Sequence, residues 1–101
     1  MAKANIEDLE NLYDKLVASM NSSDQIIGDV DTALSRANEE WTSKGATDFN
    51  TAWVDFKSSL VKMCQAFAAA GNDVAFQQEH FKIGAKEEGQ HRQLPKVTSP
   101  R

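Results

Sequence analysis

Apolar side chains return along the first half of the chain in alternating steps of three and four: Ile6, Leu9, Tyr13, Leu16, Met20, Ser23, Ile27, Val30, Leu34, Ala37 and Trp41, with Ser23 the one polar member. Such a seven-residue repeat holds one stripe of an α-helix toward a neighbour, and it predicts a single amphipathic helix over about residues 5–42. At roughly 1.5 Å per residue the 36 residues from Ile6 to Trp41 span about 54 Å, a length that needs a second helix alongside. The second half supplies one: Phe49, Trp53, Phe56, Leu60, Met63, Phe67, Ala70, Val74, Gln77 and Phe81 repeat the alternation and predict a helix over about residues 47–82.

The two stripes are separated by "TSKGATD", a turn at about residues 43–46. Gly45 is expected to take the left-handed conformation that ends a helix, Thr47 or Asp48 to cap the next, and Trp41 to form the last rung of the first seam. A connection this short makes the helices antiparallel, an all-α hairpin over residues 1–81. Gly71, within "AAAGNDV", costs about 1 kcal/mol relative to alanine and marks either a tolerated glycine or a kink. Beyond Phe81 the rhythm fails. "KIGAKEEGQHRQLPKVTSPR" holds two glycines, two prolines and few large apolar groups, so residues 83–101 are expected to form a flexible tail after a fraying helix end.

Further apolar positions widen both stripes: Leu12, Val17, Ile26 and Ala33 on the first helix, and Val54, Val61, Ala68 and Ala75, seven residues apart, on the second. One partner helix does not cover faces this broad, and two helices alone have much surface for little core. The expectation is therefore a four-helix bundle dimer. Its interface candidates are the large side chains Phe49, Trp53, Phe56, Leu60, Met63 and Phe67, because aromatic anchors dominate such contacts.

Composition adds exclusions. The chain has 101 residues, 41% apolar and 26% charged, enough for one soluble domain. Residues 1–81 carry 13 acids and 6 bases, whereas residues 82–101 carry 2 acids and 5 bases. An acidic body repels nucleic acid, which demands an extended basic face. The opening "MAKANIEDLE" has no apolar run for a signal peptide, so any export is expected to take another route. Cys64 stands alone and closes no internal disulfide; it reads as a partly buried, inert thiol. His80 and His91 lack metal-binding spacing and are expected to face solvent, and the adjacent pairs Glu39-Glu40 and Glu87-Glu88 point apart on a helix. No catalytic, cofactor or metal residues are assigned, and no enzyme activity is expected.

About one hundred residues in two long helices, a tryptophan in the central turn, and then Ala46, Phe49, Trp53, Phe56 and Leu60 resemble the WXG family, the early-secreted-antigen-like proteins of type VII secretion. The resemblance covers about residues 5–80. Its turn motif falls on Trp41, Ser43 and Gly45, with Ser43 where the family has glycine. Its export signal, a tyrosine followed four positions later by an acid, has no tyrosine here; Val74 and Gln78 align with it, and Phe76, Glu79 and Phe81 are imperfect substitutes. The resemblance implies a non-enzymatic protein that pairs with itself or a sister WXG-type chain, meets a secretion ATPase, and leaves the cell without a signal peptide. Trp41 would then help form a recognition surface with the partner's C-terminal signal. The missing tyrosine leaves a cytoplasmic adaptor or chaperone of a larger WXG-type toxin as the alternative. A membrane-active helical protein ranks third, since the acidic body suits anionic lipid poorly.

Overall fold

The computed structural model describes residues 5–101 and consists of two helices, α1 (Ile6–Ala37) and α2 (Lys44–Ala85), laid side by side as an elongated hairpin of 63 × 24 × 16 Å. Helix α1 starts at Asn5, whose side chain accepts a hydrogen bond from the Glu7 backbone N–H at 2.8 Å, satisfying one of the free donors of the first turn. It ends four residues short of Trp41. Asn38 caps it in a right-handed conformation, and the chain leaves through tight turns from Glu39 N–H to Arg36 C=O and from Glu40 N–H to Ala37 C=O.

The bend therefore works differently from the expected glycine stop. Gly45 lies in the first turn of α2 with no positive φ, and the N-cap is Ser43, not Thr47 or Asp48; Asp48 instead pairs with Lys44 at 2.7 Å. Asn38 and Asn50 exchange side-chain amide hydrogen bonds of 3.0 and 3.4 Å, which tie the end of α1 to the first turns of α2. That reciprocal pair does the work assigned to glycine.

The core follows the seven-residue repeat on α1. Ile6, Tyr13, Met20 and Ile27 are buried in one column, and Ser23 settles its hydroxyl on the Ser19 carbonyl at 2.9 Å. On α2 the buried stripe is turned aside from the predicted seam. Trp53, Leu60, Cys64, Ala68 and Gly71 are buried, whereas Phe49, Phe56 and Met63 stay 44%, 58% and 45% exposed.

The cause is the C-terminal segment. Of residues 83–101, expected to be a flexible tail, residues 83–85 complete α2, and residues 86–101 carry no helix of their own and pack along the groove between α1 and α2. Leu94 and Val97 are both 7% exposed and join the core cluster of Tyr13, Met20, Ile27, Trp53 and Leu60. The flanking Val61, Ala68 and Ala75 belong to this cluster, so much of the broad face of α2 is covered by the chain's own tail rather than by a second hairpin. Gly71 neither kinks nor breaks α2: a Cβ there would sit 3.1 Å from Val97 Cγ2, so its bare backbone makes room for the tail.

Helix α2 runs through Gly84 and stops at Lys86, whose φ of 59° and ψ of 41° are left-handed. The Glu87 N–H reaches back to the Lys82 carbonyl at 2.9 Å, closing the C-terminal turn and aiming the tail into the groove. A residue with a Cβ is strained in that conformation. Lys86→Gly should raise unfolding stability by about 0.5–1 kcal/mol, less than the full conformational penalty because glycine also loosens the unfolded chain. Urea titration followed by circular dichroism measures it; a lower midpoint would contradict the strained cap.

Candidate interaction surfaces

The hairpin presents two long sides, one on each flank of the helix contact. The tail occupies the first. Its main chain is held at intervals: Tyr13 Oη donates to the Pro95 carbonyl at 2.6 Å, and Asn72 donates from Nδ2 to the Val97 carbonyl at 2.8 Å while accepting the Val97 N–H on Oδ1 at 2.7 Å. Gln78, 1% exposed, donates from Nε2 to the Arg92 carbonyl at 2.9 Å and to Glu10 at 2.7 Å. Arg92 pairs with Asp14 at 2.7 Å and Arg101 with Asp24 at 2.6 Å, so the basic tail lies on acids of α1. His91, expected in solvent, sits 3.1 Å from Glu87 and 3.9 Å from Glu10, whereas His80 stays exposed and stacks on Phe76 at 6.4 Å.

The second side is open among the described residues. Phe49, Phe56 and Met63 recur every seven residues and so line one edge of α2, away from the residues that hold the tail. Met63 Sδ lies 3.7 Å from Ser23 Oγ, which places this edge beside α1. There Leu12 and Ile26 are each 47% exposed. Near the bend the surface becomes an apolar groove lined by Val30, Ala33, Leu34, Ala37, Trp41 and Phe49. Trp41 is thus no seam rung. It lies in the connection, its ring 6.0 Å from that of Phe49 and close above Gly45.

Of the six interface candidates, Trp53 and Leu60 lie in the hairpin's own core, Phe67 is half-buried against it, and Phe49, Phe56 and Met63 form the open edge. The export-signal candidates divide similarly. Val74 is half-buried and Gln78 buried under the tail, while Phe76 is exposed, Phe81 partly so, and exposed Glu79 pairs with Lys82 at 3.0 Å.

Two polar details secure the scaffold. Asp31 on α1 accepts the Trp53 indole N–H at 2.8 Å and pairs with Lys57, and these contacts, Lys57 first, hold its carboxyl below the ordinary aspartate range. Cys64 is fully buried, not partly, and faces the Met20 carbonyl at 3.7 Å; burial pushes its thiol up. Among the described residues no three His, Cys, Asp or Glu side chains converge on a metal-sized site, and no helix is long and apolar enough to cross a membrane.

The tail-holding residues Asn72, Leu94 and Val97 escaped the reading of the sequence. Their signal was faint: two apolar side chains three apart in a polar stretch, and a glycine at 71 whose replacement would close a groove. No protein-family model, curated protein or solved structure matches the chain.

Two measurements check this scaffold. Native Cys64 should react with a disulfide reagent at least about a hundredfold slower than in urea, because it is both shielded and protonated; native labelling at the unfolded rate would contradict its burial. Asp31 has a depressed folded pKa, so its stabilisation is full above the unfolded value of about 3.9 and fades as pH falls through the lower folded one. Asp31→Asn should therefore cost about 0.5–1 kcal/mol at pH 7, the pair being partly screened by solvent, with the gap to wild type narrowing at an acid pH below the unfolded aspartate value. Denaturation curves at both pH values test it; a gap independent of pH would remove the charge from the explanation.

Proposed function

We propose that this is a non-enzymatic interaction protein of the WXG type, which pairs through its open side with a second copy or a sister chain and serves type VII secretion as substrate or component. One observation carries the reading: the Phe49, Phe56 and Met63 edge, with Leu12 and Ile26 exposed on α1 and the Trp41 groove beside Phe49, leaves large apolar side chains in water along a hairpin 63 Å long. Contiguous exposed apolar surface of this kind is characteristic of protein contacts. A second hairpin laid on it makes a four-helix bundle and buries on the order of 1,600 Å² in total, the size of a specific complex. The antiparallel hairpin with Trp41 in its connection supports the family resemblance.

The second reading, a cytoplasmic adaptor that pairs with a larger WXG-type toxin, draws on the placement of Val74 and Gln78. Val74 is half-buried against the core and Gln78 is buried beneath the tail, so the pair aligned with an export signal is poorly exposed to a receptor. Either reading uses the same open side for pairing.

Light scattering at low micromolar concentration should give about twice the chain mass. Phe56→Asp should reduce it to the monomer without loss of helical signal, since the charge lies on the open edge and is buried only in the pair. A wild-type monomer would remove homotypic pairing, and a Phe56→Asp dimer would move the interface elsewhere. Blotting medium and lysate with and without the secretion ATPase separates the readings: ATPase-dependent protein in the medium is expected for a secreted substrate. Protein found only in lysate, even with its partner co-expressed, would favour the adaptor.

A further inference from the structure

The groove that holds the tail recognises its occupant in a manner independent of the covalent link. Hairpin side chains bind the segment chiefly by its main chain: Tyr13 at Pro95, Asn72 at both polar groups of Val97, and Gln78 at Arg92, over distances of 2.6–2.9 Å. Side-chain selection is confined to a few positions. Leu94 and Val97 are buried, the latter against the bare backbone of Gly71, and Arg92 and Arg101 meet Asp14 and Asp24. Main-chain hydrogen bonds with pockets for alternate side chains are how proteins bind extended peptides in general. The connecting stretch contributes little, since Lys86, Glu88, Gly89 and Gln90 are exposed.

We propose that the groove between α1 and α2 is a recognition site for an extended peptide of pattern Arg-x-Leu-Pro-x-Val, filled in cis by residues 92–97 and, when that segment swings out, by the same segment of a second copy. The charges fit this occupant, because Glu10, Asp14 and Asp24 line the groove while the segment from residue 82 onward carries 5 bases and 2 acids. Exchange of an identical element is a low-cost route between copies, since every contact made in cis is remade in trans. The strained left-handed Lys86 is a natural hinge for it. This site lies across the helices from the Phe56 edge and shares no residue with it.

In cis the tail is present at an effective concentration of about millimolar, so the wild-type groove resists a free peptide. The test uses a fluorescent peptide of residues 90–101 and the full chain carrying Leu94→Asp and Val97→Asp, which releases the resident tail without altering any groove residue of α1 or α2. Anisotropy should show at least about tenfold tighter binding to this variant than to wild type. Adding Gly71→Leu, which fills the Val97 position while favouring the helix, should abolish the gain, as should a peptide with serine at both apolar positions. Phe56→Asp in the same background should leave peptide binding unchanged, which separates this site from the pairing surface. Binding to the opened variant no tighter than to wild type, or insensitive to Gly71→Leu, would overturn the proposal. Should the double variant lose its helical circular dichroism signal, Leu94→Ala replaces it, with the same outcomes expected at smaller amplitude.

Discussion

Two helices in contact bury one stripe each and leave a groove on either side of the contact line, and a chain this short must close at least one groove to gather a core. Here the closure is made by an extended segment. Leu94 and Val97 enter the groove between α1 and α2, Gly71 gives them depth, and Asn72 satisfies both main-chain polar groups of Val97, which otherwise lose water without a partner. Arg92 and Arg101 fasten the segment to acids of α1.

The orientation of α2 follows from that closure. With apolar partners on both the α1 side and the tail side, its buried stripe runs through Leu60, Cys64, Ala68 and Gly71, between the two. The Phe49, Phe56 and Met63 column then falls on the far side and stays in water. The closed groove and the open edge are thus one arrangement seen from opposite sides, and the pairing surface we propose exists because the tail lies where it does.

The helices were legible because periodicity is a property of single positions: the seven-residue stripe on α1 places Ile6, Tyr13, Met20 and Ile27 in the core as read. The bend was misread for a physical reason. Asn38 and Asn50 close it through side-chain hydrogen bonds, a long-range pairing that local turn preferences do not encode, so Gly45 was free to enter α2. The tail was misread because a polar, proline-containing segment with only Leu94 and Val97 looks too poor in apolar surface to order. Its order depends on Tyr13, Asn72 and Gln78, each of which reads in the sequence as an ordinary helix residue. Part of the apolar flank read on α2, Val61, Ala68 and Ala75, packs within the chain's own core cluster together with Leu94 and Val97 of the tail.

Amide hydrogen exchange along residues 90–101 tests the central claim most directly. If the tail closes the groove, the Val97 N–H, donated to Asn72 Oδ1, should exchange at least about a hundredfold slower than in an unstructured peptide, and Asn72→Ala should release it. Exchange of Val97 at the unstructured rate in the wild-type chain would contradict the account, and with it the reason given for the exposed aromatic edge.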